Sequence, residues 1–115
     1  MAMDKEFLLV ITSSGLGEGE TDLGVKLTDL LFKVFKDHET LPHKIIFLNS
    51  GIFLTTEGSP VKDRLKTLEA RGVTISSCIT CLTYFDRMEK VIVGSRSDMR
   101  DTVRSLAEYK KVVTL

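Results

Sequence analysis

Two cysteines are the only thiols in this 115-residue chain, and they form the motif Cys78-Ile79-Thr80-Cys81. A pair at that spacing offers nucleophilic sulfur transfer, dithiol–disulfide exchange or metal ligation. The attacking species is the thiolate, and a free cysteine with a pKa near 8.5 is mostly protonated at neutral pH. A cysteine that ends a strand and opens a helical turn has unpaired backbone N–H groups aimed at its sulfur, which favour the anion. Cys78 is first in the pair and is expected to hold that place. Cys81 would lie on the same face one turn later, ready to take a sulfur atom from Cys78 or to close a disulfide with it. The hydroxyls of Ser76, Ser77 and Thr80 could add hydrogen bonds. Set against this, many cysteines serve only as small buried hydrophobes. Structural zinc needs four ligands. Only His38 and His43 remain to supply nitrogen, and both fall near the far, amino end of the second expected strand. No metal within a single chain and no cofactor is therefore expected, and the two histidines read as solvated loop residues.

The elements that would position the pair alternate between strand and helix. Phe7–Ile11 is a continuous apolar run suited to a strand buried on both faces, and the Gly-rich loop Gly15-Leu16-Gly17-Glu18-Gly19 follows it. Leu23, Leu27, Leu30, Leu31 and Val34 recur as the apolar stripe of a helix, with Thr21 or Asp22 as its N-cap. Ile45–Leu48 predicts a second strand ending at Asn49-Ser50-Gly51, and 52–58 reads as irregular. Ser59 and Pro60 signal the start of a helix carrying Val61, Leu65 and Leu68, with Gly72 just past its end. Val73–Ser76 is the third expected strand, 78–88 a short helical turn, and Val91–Val93 the fourth strand. Met99, Val103 and Leu106 mark a further helix capped by Ser97, and Lys111–Thr114 closes the chain as the fifth strand.

This alternation predicts one α/β domain spanning 1–115, a three-layer α/β/α sandwich around a mainly parallel five-stranded sheet. Ligands of such sheets sit beyond the carboxyl ends of the strands. The residues expected at that rim are Thr12-Ser13-Ser14-Gly15, Asn49-Ser50-Gly51, Ser77-Cys78 and Gly94-Ser95. Asp98, Arg96 and Arg100 stand near it, where capping and surface charge explain them as well as an anionic ligand does. The Gly-rich loop lacks the third glycine of a dinucleotide fingerprint and the lysine of a P-loop, and Glu18, Glu20 and Asp22 would repel phosphate.

Composition excludes several classes. Hydrophobic residues make up 43% and charged residues 28%, as in a soluble globular domain. Lys plus Arg (16) balances Asp plus Glu (16), so the attraction that nucleic-acid and anionic-membrane binders rely on is missing. The longest apolar run, Phe7–Ile11, is far short of the roughly 20 residues needed to span a bilayer. Met1–Glu6 is polar and leads straight into a strand, so no signal peptide is expected, and a cytoplasmic, reducing location follows.

The chain resembles the DsrE-like superfamily of sulfur-relay proteins, and is most similar to the DsrE-like C-terminal domain of the YedF-type selenium-metabolism proteins. The resemblance runs nearly end to end. It rests on Gly15-Leu16-Gly17-Glu18-Gly19 with Asp22-Leu23-Gly24, on Leu48-Asn49-Ser50-Gly51 with Leu54 and Glu57-Gly58-Ser59, and on Leu68-Glu69-Ala70-Arg71-Gly72-Val73. It continues through Ser77-Cys78, Thr80-Cys81-Leu82, Val93-Gly94 with Met99, and Val112-Val113-Thr114-Leu115. It implies a three-layer fold, a persulfide carried on the position of Cys78, a second thiol at Cys81, and assembly into dimers, trimers or hexamers. The subgroup has Gly between the cysteines where this chain has Ile79-Thr80, a bulkier pair that bears on access to sulfur. Larger members carry a TusA-like domain upstream, so its contribution is expected from a partner.

Three functions of different classes follow. The leading one is a sulfur or selenium carrier, sulfurtransferase-like if active, with Cys78 and Cys81 as catalytic thiols and Ser13, Ser14, Gly15, Asn49, Ser50, Gly51 and Thr80 as candidate substrate contacts. Its partners would be sulfur donor and acceptor proteins, a TusA-like protein among them, and further copies of the chain. The second is a dithiol–disulfide redox module. The third is a non-catalytic subunit of a sulfur-relay assembly, using Ile52-Phe53-Leu54 as an exposed contact; those residues could equally fold back as satellite core.

Overall fold

The computed structural model describes the backbone from Ala2 to Leu115 and the side chains from Lys5 onward. The leader expectation at Met1–Glu6 therefore bears in part on residues outside those described. Five strands, β1 (Ala2–Ile11), β2 (Thr40–Phe47), β3 (Thr74–Cys78), β4 (Ser95–Ser97) and β5 (Lys111–Thr114), form one sheet in the order β4-β3-β2-β1-β5. Every pairing in it is parallel. Between them run the helices α1 (Thr21–Phe35), α2 (Lys62–Ala70), α3 (Ile79–Tyr84) and α4 (Met99–Glu108). Thus β1 through β4 step outward in one direction, and α4 carries the chain back across to β5 on the other side of β1.

The inner strands β1, β2 and β3 have a neighbour on each side; β1 and β2 are apolar on both faces, while β3 buries Ser76 and Ser77 beside Ile75. Leu9, Ile11, Ile45, Phe47 and Ile75 build the main core with Phe32 of α1, Leu65 and Leu68 of α2 and Leu82 of α3. Leu8, Val10 and Ile46 form a smaller cluster on the opposite face with Leu48 and Tyr109. On that face α4 is tied down by Lys44, whose Nζ reaches Asp101 at 2.7 Å and donates to Ser105 Oγ at 2.9 Å.

Several local expectations are corrected. The stripe Leu23, Leu27, Leu30 and Val34 faces outward; Val34 is 64% exposed. The face of α1 turned to the core is Gly24, Thr28 and Phe32. The reason is the Gly-rich loop, which crosses the helix so closely that a Cβ on Gly24 would lie 3.1 Å from the Leu16 carbonyl oxygen. Leu16 N–H donates to Thr28 Oγ1 at 3.0 Å, and Thr28 Oγ1 donates to Gly24 O at 2.9 Å. Gly24 and Thr28 are small where the loop backbone has to fit over them, and Phe32, one turn on, fills the core. In α4 likewise Met99, Val103 and Leu106 are exposed while Thr102 and Ser105 are buried.

The caps shift too. Glu20, in extended conformation, precedes α1 in place of Thr21 or Asp22. Ser59 Oγ accepts from Val61 N–H at 3.1 Å, but α2 begins only at Lys62, which leaves Pro60 outside it. Asp98, not Ser97, caps α4 by accepting the Asp101 N–H at 3.0 Å. Gly72 ends α2 as expected, at φ 98, with Val73 N–H donating back to Leu68 O at 3.1 Å.

Val91–Val93 is not a strand of the sheet. Val91 makes a single antiparallel bridge with Thr56, and the polar Ser95–Ser97 is the edge strand. An edge strand this short has no need of an apolar run. Gly94-Ser95 therefore lies at the start of β4, away from the carboxyl rim, while Ser77-Cys78 are the last residues of β3 rather than the first beyond it. Ile52-Phe53-Leu54 is not an exposed loop. It belongs to a 3-10 turn, Asn49–Leu54, whose Ile52 and Leu54 join the main core while Phe53 is half-buried.

Candidate functional site

Cys78 ends β3 and stands immediately before α3, with an extended backbone at φ −69 and ψ 124. Its place in the chain matches the expectation; its accessibility does not. The residue is 1% exposed, because β3 is an inner strand and α3 turns back over its end. Cys81, three residues on in α3, is half-buried and packs against the edge of the main core. It is the thiol that reaches solvent.

The loop after β2 supplies the polar contact to that thiol. Leu48 N–H donates to Ile11 O at 2.9 Å, and the backbone then turns into the left-handed region at Asn49, φ 52. Asparagine tolerates this conformation better than most residues because its short polar side chain bonds locally. As the first residue of a 3-10 turn, Asn49 has an N–H with no partner inside that turn. The N–H is aimed at Cys81 and donates to its Sγ at 3.0 Å. Behind it, Gly51 lies so close to β1 that a Cβ would sit 2.6 Å from Ile11 O. Thr55 Oγ1 and Ser77 Oγ share a buried hydrogen bond of 2.6 Å that fixes the far end of the segment to β3.

Opposing influences act on the Cys81 thiol. Burial pushes its pKa above the ordinary value, the Asn49 N–H pulls it down, and the neighbouring Cys78 thiol pushes it up further. The net direction is upward, so Cys81 is not a low-pKa thiol; the helix-start activation is an expectation for Cys78.

Cys81 opens on a cavity of about 490 Å³ lined by Asn49, Thr80, Cys81, Tyr84 and Phe85. Tyr84 is 81% exposed. Its ring meets Phe85 edge-on at 5.0 Å between centroids, and Phe85 meets Phe53 at 4.8 Å. Arg87 stacks over Phe53 at 4.5 Å and donates to Thr56 Oγ1 and to Glu57 O. The result is a row of aromatic rings, Tyr84, Phe85 and Phe53, ending on Arg87.

Of the residues expected at the site, the structure brings together Cys78, Cys81, Asn49 and Thr80, with Ser50 and Gly51 in the supporting turn. Ser13, Ser14 and Gly15 do not line the cavity; Ser13 Oγ bonds the Gly15 carbonyl within its own loop. Tyr84 and Phe85 were not among the expected contacts. They stand three and four residues after Cys81, the helical spacing that shares a face with it. Arg96 binds the Met88 carbonyl and Arg100 pairs with the capping Asp98, so local structure accounts for both. His43 is a half-buried β2 residue bonded to the Tyr109 hydroxyl rather than a solvated loop residue. Among the described residues no group of three His, Cys, Asp or Glu is placed to hold a metal ion. Among the described residues no helix is long and apolar enough to cross a membrane.

No family model and no curated protein matches the chain. Solved structures do resemble it. The YchN protein from E. coli aligns at a TM-score of 0.67 and 14% identity, over 97% of this chain and 100% of that one. Protein MTH1491 of unknown function, from Methanobacterium thermoautotrophicum, aligns at 0.69 and 14% identity over the same shares. Protein BT1422 of unknown function, from Bacteroides thetaiotaomicron, aligns at 0.64 and 14% identity over 96% and 95% of the two chains. The chain therefore has the DsrE/YchN-like fold.

Proposed function

We propose that this protein is a sulfur carrier, sulfurtransferase-like in its chemistry, in which sulfane sulfur enters at Cys81 and is held on Cys78. The observation that carries the reading is the Cys81 thiol at the wall of an open cavity, with a backbone N–H on its sulfur and a second, buried cysteine beside it. In the first step the Cys81 thiolate attacks the outer sulfur of a donor persulfide, R–S–SH. A Cys81 S–S bond forms, the donor S–S bond breaks, and the donor leaves as its thiolate. The Cys78 thiolate then attacks the transferred sulfur and releases Cys81 as a thiolate. A persulfide on Cys78 is shielded from passing reductants because the residue is buried. Delivery to an acceptor thiol runs the two exchanges in reverse, and no outside oxidant is needed.

Donor and acceptor would be proteins of a sulfur or selenium relay in a reducing compartment such as the cytoplasm, with a TusA-like protein as one candidate. Self-assembly is supported by the outward stripes Leu23, Leu27, Leu30 and Val34 on α1 and Met99, Val103 and Leu106 on α4. The competing reading is a dithiol–disulfide module, which the closeness of the two thiols also favours.

Intact mass spectrometry after incubation with a cysteine desulfurase and cysteine tests both. The expected product gains the mass of sulfur on wild type, gains none on Cys81→Ser, and on Cys78→Ser carries sulfur that added thiols strip faster. Equal loading of wild type and Cys81→Ser would overturn the entry role. A product that has only lost two hydrogens would favour the redox module.

A further inference from the structure

None of the five residues lining the Cys81 cavity is an aspartate, glutamate, lysine, arginine or histidine, and two of them are aromatic. No cation lines the cavity, and Arg87, which stacks over the adjoining Phe53 ring, is committed to Thr56 and the Glu57 carbonyl. Thiosulfate is a dianion, glutathione persulfide carries carboxylates, and free cysteine persulfide is a zwitterion. Each would shed hydration on entering this cavity without gaining a charged partner, and that loss is not repaid. An apolar group next to the reacting sulfur loses nothing there and gains contact with the exposed Tyr84 ring, which meets Phe85 edge-on.

We propose that the Cys81 cavity selects uncharged, apolar sulfur electrophiles over charged ones, and that Tyr84 is a specificity-determining residue. This rests on Cys81 as the entry thiol and adds the class of substrate it accepts. The preferred partner presents its S–S bond flanked by uncharged apolar groups, with no carboxylate or ammonium beside it. With a simple disulfide R–S–S–R the chemistry is explicit. The Cys81 thiolate attacks one sulfur, forms a mixed disulfide and expels RS⁻, which takes up a proton from solvent. Cys78 then attacks the Cys81 sulfur, closes the Cys78–Cys81 disulfide and expels the second RS⁻. The protein dithiol loses two electrons, and the reagent gains them as two thiols.

The test compares two aromatic disulfides, dithiodipyridine, which is uncharged at neutral pH, and dithiobis(nitrobenzoate), a dianion. Rates of thiol release are measured on the whole protein, peptide mapping assigns the first mixed disulfide, and N-acetylcysteine amide gives each reagent's intrinsic reactivity. The neutral-to-dianion rate ratio at Cys81 is expected to exceed that of the reference thiol by about tenfold, the unrepaid part of the dianion's desolvation. Tyr84→Lys should bring the ratio back toward the reference value, and Tyr84→Phe should preserve it. At 81% exposure neither substitution disturbs the core. A ratio equal to the reference, or one that Tyr84→Lys leaves unmoved, would overturn the selectivity while Cys81 stayed the entry thiol. Failure of Cys81 to react with either reagent would overturn the entry role and the selectivity together.

Discussion

Asn49 offers the sharpest probe of the site, because its side chain need not touch the thiol for its backbone to control it. The N–H reaches Cys81 Sγ at 3.0 Å only while Asn49 keeps its left-handed conformation at φ 52. A β-branched residue pays about 1–2 kcal/mol to hold that conformation, so Asn49→Val should relax the turn and swing the N–H away. A hydrogen bond to a charged acceptor is worth about 1.5–3 kcal/mol. Its loss would lower the thiolate fraction at neutral pH by roughly tenfold to a hundredfold. A more basic thiolate is also a better nucleophile, with a Brønsted coefficient of about 0.4–0.5, and this recovers almost half of the logarithm. The net expectation is a loss of roughly threefold to tenfold in Cys81 alkylation rate by iodoacetamide at neutral pH, with the pH–rate curve displaced to higher pH. Asn49→Gly, which adopts the turn without strain, should keep the wild-type profile. Mass-resolved alkylation across a pH series reads both variants. An unchanged curve for Asn49→Val, with only its thermal stability lowered, would refute the claim that this backbone N–H tunes the thiol.

Burial separates the two apolar stripes of α1. Phe32→Ala should cost about 3–5 kcal/mol in urea unfolding, since Phe32 is wholly buried in the main core. Leu27→Asp should change monomer stability by no more than about 0.5 kcal/mol and instead reduce any self-assembly seen by analytical ultracentrifugation. Gly94 sits at φ 76, and a Cβ there would lie 2.4 Å from Ile75 O. Gly94→Ala should therefore lower the melting temperature by several degrees in a thermal scan, as a backbone clash of about 1–3 kcal/mol does in a domain of this size. The Lys44 ammonium holds the Asp101 carboxyl below its ordinary pKa. A group whose folded pKa is depressed stabilises the fold at neutral pH and loses that contribution as pH falls through and below the ordinary carboxylate range. Asp101→Asn should accordingly destabilise at neutral pH and flatten the acid limb of a urea-midpoint series.

Strand identity was legible where a segment is buried on both faces. Phe7–Ile11 and Ile45–Phe47 are apolar without alternation because helices cover both sides of the inner strands. The same rule misplaced β4, an edge strand with no such demand. Helix position was also legible in α1 and α4, but not orientation. Periodicity marks an apolar stripe without saying what it faces, and in α1 the close approach of the Gly-rich loop gave the inner face to Gly24 and Thr28. The cysteine motif located the site, and helical spacing held Tyr84 and Phe85 in plain view beside it. Which of the two thiols meets solvent depended on how far β3 runs. It extends through Cys78, and that carries the first sulfur inside.

The sheet order carries a consequence for how the chain is made. β1, the first strand of the sheet to be made, pairs on one side with β5, the last of its five strands, through Phe7 to Lys111 and Val10 to Thr114. Until those residues emerge, the flank of Leu8, Leu9 and Val10 stays open, an apolar template on which another nascent strand can add. The sheet can close only after β5 has been made. Its most aggregation-prone interval is thus set by translation speed, and a holdase that covers β1 would shorten the time it spends bare.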